Sequence, residues 1–95
     1  MSDRDSSLAA LREVHSFPGP FMFKVIGENS PDFVARVVQA VVVVLGPRAV
    51  PEVRLRQSTG GRHQAITLTV RVPSAESVLD IYACLQGLPG VRFLI

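Results

Sequence analysis

The sequence is poor in the residues that build metal and redox sites: its 95 residues include one cysteine, Cys84, and two histidines. One cysteine excludes an intramolecular disulfide, and it cannot supply an ordinary Cys/His zinc site even with both histidines. Neither histidine lies in a recognisable nucleophile motif, and no phosphate-binding loop or usefully spaced pair of acids is present. We therefore expect no catalytic residues, no metal and no cofactor.

Long apolar runs and a strong charge of either sign are also missing. The most apolar stretch, Val37 to Leu45, is nine residues long and contains Gln39, whereas a membrane-spanning helix needs about 20 residues. The polar start, with Asp3 and Asp5, does not resemble a secretory signal. The net charge of +2 excludes a strongly basic nucleic-acid tail. These absences predict a cytoplasmic protein with no membrane attachment.

The composition that remains, 47% hydrophobic and 19% charged, is typical of one small globular domain. Residues 1–7 are predicted to be frayed, with Ser6 or Ser7 able to cap a short helix that carries Leu8 and Leu11 on one side. Because Pro18 and Pro20 interrupt regular secondary structure, we divide the chain into a flexible tail over residues 1–16 and a folded domain over residues 17–95.

Strands and helices are predicted to alternate within that domain. Val41 to Val44 favours a strand locally, but the cap at Ser30 and the stop at Gly46 frame a helix. A second helix begins after Ser74 and ends at Gly87, with Val78, Leu79, Tyr82 and Leu85 on its stripe and Ile81 at the margin. The predicted strands are Phe21–Ile26, Pro51–Ser58, His63–Val72 and Val91–Ile95.

This β-α-β-β-α-β order predicts an α+β, ferredoxin-like fold. The four-stranded antiparallel sheet has the order 4-1-3-2, and both helices lie on one face. Alternation directs Phe21, Phe23 and Val25 inward, and Ile66, Leu68, Val70 and Val72 likewise. The other sheet face is left open.

By the same alternation, the open face gathers five of the ten basic residues: Lys24, Arg54, Arg56, Arg71 and Arg92. We expect strand pairing to bring Arg92 beside Lys24, and Arg71 and Thr69 beside Arg54 and Arg56. Such a face is either solvated, with long stems covering methyl groups, or it binds an acidic partner or a small anion. RNA binding is the weaker alternative, because the outward residues of the central strands include no aromatic side chain for base stacking.

Three segments resemble the YbeD-like family of small bacterial proteins. The first is Phe17 to Gly27, in which a Phe-Pro pair precedes an aromatic-rich strand ending Lys-Val-Ile-Gly; Ile26 replaces the more usual methionine. The others are the hairpin Ser58 to His63 and the ending Leu88 to Ile95. The resemblance covers about residues 16–95. The resemblance implies a fold similar to ACT-type regulatory domains. Because family members are often encoded beside lipoate-attachment genes, it also implies a metabolic setting. The family has no settled activity.

The resemblance to ACT domains also implies a ligand turn before the first helix, formed here by Gly27, Glu28, Asn29 and Ser30. Pro31 matches that pattern, but Asp32 replaces the glycine that lets a ligand approach the backbone. A helix N-terminus attracts anions, although Glu28 and Asp32 already occupy this one. The turn is therefore either a ligand site or a capping structure.

Together these features predict a non-enzymatic regulatory or interaction domain in bacterial metabolism, with an RNA-binding accessory domain as the alternative. The partner is a protein or a small molecule that the sequence does not identify, and the chain is expected to be a monomer or a weak homodimer. Val42 and Val43 lie off the helix stripe. They are covered by Leu8 and Leu11, covered by a second subunit, or partly exposed.

Overall fold

The computed structural model describes residues 3–95, in which three helices and four strands follow one another along the chain. The strands form one antiparallel sheet in the order β2-β3-β1-β4, which is the predicted order read from the other edge. Its central strands are therefore β1 and β3. The elements are α1 (Asp3–Val14), β1 (Gly19–Glu28), α2 (Pro31–Leu45), β2 (Glu52–Gln57), β3 (His63–Val72), α3 (Ala75–Gln86) and β4 (Val91–Leu94).

The core lies between the sheet and the α2–α3 layer, and strict alternation on the central strands builds it. Phe23 and Val25 of β1 are fully buried, as are Ile66 and Leu68 of β3, whereas their sequence neighbours face away from the helices. This confirms the predicted ferredoxin-like α+β fold and the inward faces of both central strands.

The structure confirms both helix caps and the helical interpretation of the valine run. The Ser30 Oγ accepts a hydrogen bond of 3.2 Å from the Phe33 backbone N–H, and Ser74 caps α3 in the same way through Ser77. Gly46 ends α2 with a φ of 97°, which favours glycine. Tertiary packing outweighs β propensity here, since Val37 and Val41 are fully buried against the core.

The stripe of α3 is rotated from the predicted one. Ile81, expected at the margin, is fully buried, whereas Leu79 and Tyr82 are only half-buried. Tyr82 stacks edge-on against Phe23 at a centroid separation of 5.2 Å, and its hydroxyl donates to the Ile95 oxygen at 3.4 Å. Burial raises the pKa of Tyr82 above its ordinary value. This side chain therefore joins α3 to the end of β4.

The N-terminal segment is more ordered than the sequence predicts. α1 begins at Asp3, so Ser6 and Ser7 lie inside the helix and do not cap it; Met1 and Ser2 of the expected tail lie outside the described residues. Asp3 and Asp5 in the first turn favour this early start, because acidic side chains stabilise a helix N-terminus.

The same helix does not cover α2. Instead α1 packs on α3, where Arg4 pairs with Asp80 at 3.1 Å and Arg12 pairs with Glu76 at 2.7 Å. The suggested cover by Leu8 and Leu11 is wrong for Val43, which is 67% exposed, whereas Val42 is half-buried. No helix within residues 3–95 is both long and apolar enough to cross a membrane.

Candidate functional site

The sheet surface that faces away from the helices, called the open face below, carries four of the predicted cations. Lys24 lies near its centre on β1, Arg54 and Arg56 lie on the edge strand β2, and Arg71 lies near the end of β3. All four side chains are exposed. Each faces a neutral residue on a neighbouring strand: Thr67 separates Arg54 from Lys24, Ala65 is opposite Arg56, and Pro20 is opposite Arg71.

This register corrects the predicted contacts between β2 and β3. Arg54 and Arg56 pair with Thr67 and Ala65, and do not lie beside Arg71 and Thr69. The cause is the connection, in which the Ser58 N–H bonds the His63 carbonyl at 2.9 Å and places Gln57 opposite Gln64. Lys24 is therefore two strands away from Arg54 and Arg56, no two of the four cations are direct cross-strand partners, and the cross-strand repulsion expected from the sequence is small.

Strand β4 departs most from the prediction, because a bulge interrupts its pairing with β1. Val91 is opposite Gly27 and Phe93 is opposite Ile26, so Arg92 between them has no cross-strand partner. The residue beside Lys24 is Ile95, whose N–H donates to the Lys24 carbonyl at 2.9 Å. The expectation that Arg92 lies beside Lys24 is wrong, since the extra residue shifts the alternation of the strand.

That shift adds apolar side chains to the open face which sequence reasoning missed. Leu94 pairs with Val25 and points toward the core, so Phe93 and Ile95 point away from it. Phe93 is 63% exposed, Ile95 66% and Met22 61%, and Ile26 between them is half-buried. The alternation within Val91 to Ile95 could not reveal this, because Phe93, Leu94 and Ile95 are apolar at both parities. The open face thus combines cations with large exposed hydrophobic groups.

Little negative charge offsets these cations. Glu52 pairs with Arg54 at 3.1 Å, whereas Glu28 turns to α2 and pairs with Arg36 at 3.2 Å. Across residues 3–95, no acidic side chain lies within ion-pair distance of Lys24, Arg56 or Arg71. The open face therefore has an excess of at least three uncompensated positive charges.

The second candidate site, the turn at Gly27 to Ser30, is hydrogen-bonded to other parts of the chain. The buried Gln64 amide donates from Nε2 to the Glu28 carbonyl at 3.0 Å and to the Ser30 carbonyl at 3.2 Å. Asn29 donates to the Gly61 carbonyl at 2.7 Å. The sequence analysis missed Gln64, although it shares the inward parity of Ile66 and Leu68. Together with the Ser30 cap, these contacts join the start of α2 to the β2–β3 hairpin.

Gly27 itself is required by packing. A Cβ at this position would overlap the buried Phe33 ring and the Gly90 carbonyl oxygen. The first residue of the candidate ligand turn is thus in contact with a core aromatic ring and with the loop before β4. An alanine here would displace one of them.

The side chains considered for chemistry are dispersed. His15 stacks on Phe21 at a centroid separation of 4.7 Å, His63 begins β3 opposite Glu28, and Cys84 is half-buried against the core. Within the described part of the chain, no three His, Cys, Asp or Glu side chains cluster so that they could hold a metal ion.

Comparison with known proteins gives consistent matches along nearly the whole chain. A family model described as "Protein of unknown function (DUF493)" matches residues 12–95. A UPF0250 protein of Chromobacterium violaceum is 36% identical over 84 residues, which is 88% of this chain and 94% of the relative. A UPF0250 protein of Paraburkholderia phymatum is 35% identical over 79 residues, which is 83% of this chain and 89% of the relative. A UPF0250 protein of Shewanella halifaxensis is 31% identical over 80 residues, which is 84% of this chain and 89% of the relative. These matches confirm the resemblance carried by Phe17 to Gly27 and the two later segments.

Proposed function

Because the chain belongs to the DUF493 family of bacterial proteins, whose function is unknown, we propose that it is a small, non-enzymatic, cytoplasmic binding domain. Its open face binds an acidic protein or a small anion. The observation that carries the proposal is the excess charge of Lys24, Arg56 and Arg71, which have no ion-pair partner in residues 3–95. Such a charged surface attracts and orients an acidic partner.

The self-contained turn at Gly27 to Ser30 also supports a site on the open face. The main-chain carbonyls of Glu28, Ser30 and Gly61 already accept from the Gln64 and Asn29 amides, so an amino acid bound at that turn would need other partners. The arrangement of strands and helices is like that of ACT-type regulatory domains, and this likeness is the support for a regulatory role in metabolism.

RNA binding is the second candidate, and one observation favours it. Phe93 is an exposed aromatic side chain on the open face, where the sequence analysis expected none. It lies on the edge strand β4, in the same cross-strand row as Ile26, Ala65 and Arg56. One aromatic ring beside cations can stack a base, but RNA-recognition sheets stack two or three bases on aromatic residues.

The proposal is tested by capture from a bacterial cell extract followed by mass spectrometry. The test protein carries Lys24→Glu with Arg56→Glu, and the matched control carries Arg48→Glu with Arg62→Glu, which reverses the same charge in exposed turns outside the sheet. We expect the test protein to lose the partner that the wild type and the control retain, and the wild-type complex to weaken as salt rises.

Two results would contradict the proposal. In one, the folded test protein retains the same partner with the same salt dependence. In the other, ribonuclease treatment of the extract abolishes the capture, which would favour the RNA-binding function.

A further inference from the structure

The open face is divided into two columns that run along the strands. An apolar column, formed by Met22, Ile26, Phe93 and Ile95, lies over β1 and β4, and Lys24 lies within it between Met22 and Ile26. A basic column, formed by Arg54 and Arg56, lies over β2. The small residues Ala65 and Thr67 of β3 lie between the columns. A partner that uses the whole face must therefore present apolar groups on one side and acidic groups on the other.

The width of the face indicates what kind of segment fits. From β2 to β4 there are three interstrand spacings of about 4.8 Å, so the columns are centred roughly 10–14 Å apart. An α-helix with its side chains is about 10–12 Å wide and can contact both columns at once. A single extended chain is about as wide as one interstrand spacing and would cover only one column.

The charge of the face argues against a second copy of this chain as the occupant. In a symmetric dimer the same patch faces itself, so Lys24, Arg54 and Arg56 would face either the cations or the apolar column of the other copy, with Glu52 as the acid on the face. Burying uncompensated charges in that way is costly. A segment with acidic side chains neutralises the same groups.

We propose that the partner presents an acidic amphipathic helix to the open face, a conclusion that rests on the proposed function. The apolar stripe of that helix lies on Met22, Ile26, Phe93 and Ile95. Its acidic flank lies over Arg54 and Arg56, and Lys24 reaches it from the centre of the sheet. The two kinds of contact have separate roles, since the apolar stripe supplies buried area and the charges set orientation and association rate.

Three synthetic peptides of equal length test the proposal in NMR titrations of the isotope-labelled protein. The first is a helix with a leucine stripe and glutamate flanks, the second has the same composition scrambled so that the stripe is lost, and the third keeps the stripe with lysine flanks. We expect the first peptide to bind most tightly and to shift the amide signals of all four strands. The second should bind weakly through charge alone, and the third should not bind.

Two protein variants show whether the apolar column itself contributes to peptide binding, or whether loss of any exposed apolar side chain has the same effect. Phe93→Ser removes the largest group of the apolar column, and Val43→Ser removes an equally exposed apolar group from α2. We expect Phe93→Ser to weaken binding of the first peptide about tenfold or more, and Val43→Ser to leave it unchanged. Binding of the scrambled peptide should be insensitive to both changes.

The outcomes distinguish this inference from the proposed function. One outcome is that both acidic peptides bind with equal affinity, that Phe93→Ser does not change this affinity, and that neither binds the protein with Lys24→Glu and Arg56→Glu. The helix proposal is then wrong, and the acidic-partner function stands. If the lysine-flanked peptide binds as well as the first, the charge argument behind both proposals is wrong. If no peptide binds, the helix proposal is wrong, and the capture experiment alone decides the proposed function. Concentration-dependent dimerisation that Phe93→Ser abolishes would also overturn the helix proposal, because a second copy would then occupy the face.

Discussion

Gln64 offers the sharpest test of how the turn before α2 is held. Its side chain is 4% exposed, and its amide nitrogen donates to two main-chain carbonyls, those of Glu28 and Ser30. Gln64→Leu keeps a similar volume but removes both donors. The Ser30 carbonyl keeps a hydrogen bond of 3.3 Å from the Val34 backbone N–H, so the Glu28 carbonyl is the main acceptor affected. A buried acceptor left without a partner costs about 1–3 kcal/mol, and we expect a loss in that range, of about 1–3 kcal/mol.

The neighbouring glutamine provides a matched control for this substitution. Gln57 is the direct cross-strand partner of Gln64, but it is exposed, and its amide lies 3.5 Å from the Asn29 side-chain oxygen. Gln57→Leu should therefore change the free energy of unfolding by less than about 0.5 kcal/mol.

Urea denaturation of both variants measures the difference, and an unchanged slope shows that the comparison concerns the same folded state. Amide hydrogen exchange should speed up at Asp32, Phe33 and Val34 in Gln64→Leu alone, because the turn loses the hydrogen bonds that hold it to β3. If the two variants unfold at the same urea concentration, the Gln64 hydrogen bonds do not stabilise the turn and the argument for a closed turn is refuted.

Three further predictions concern the core, the cap and the N-terminal helix. Leu68→Ala should cost about 2–5 kcal/mol because the side chain is fully buried, whereas Thr69→Ala should cost under about 1 kcal/mol; equal costs in denaturant titration would contradict the sheet parity. Ser30→Ala should cost about 0.5–2 kcal/mol in the same assay, and no change would mean that the cap contributes nothing. The pKa of Glu76 is lowered by its own backbone N–H and then by Arg12. The hydrogen bonds to the ionised Glu76 carboxylate therefore stabilise the fold fully above about pH 4.3, the pKa of glutamate in the unfolded chain. This stabilisation is lost as the pH falls through the lower pKa of Glu76 in the folded protein. Hydrogen exchange in α1 should accelerate in that range, and Glu76→Gln should remove the pH dependence.

The parts of the fold that the sequence predicts are those with strong local signals. Alternation over β3 and the caps at Ser30 and Ser74 are local patterns, and the order of elements follows from them. The position of α1 depends on ion pairs with α3 that are more than 60 residues distant in the chain, as between Arg12 and Glu76, and no local pattern encodes them.

The candidate site is less predictable for a related reason. The four cations that the structure keeps on the open face lie on strands with clear alternation, whereas Arg92 lies at a bulge in a strand of four residues. A bulge changes which residues share a face, and apolar residues at both parities in β4 conceal it. Phe93 could therefore be assigned to the open face only once the pairing with Ile26 was known.

The position of β2 at the border of the sheet gives its arginines a second consequence. One side of this strand has no neighbouring strand in the sheet order, and such an edge can recruit a strand from another molecule. The charged side chains of β2 oppose that recruitment, because pairing this edge with the same edge of a second copy would bring charged groups together. These side chains are Glu52, Arg54 and Arg56. Charge reversal to glutamate preserves this protection, whereas neutral or apolar replacements would remove it. A protein with neutral or apolar residues at these positions would therefore both aggregate and lose its partner, and a binding assay could not separate the two effects.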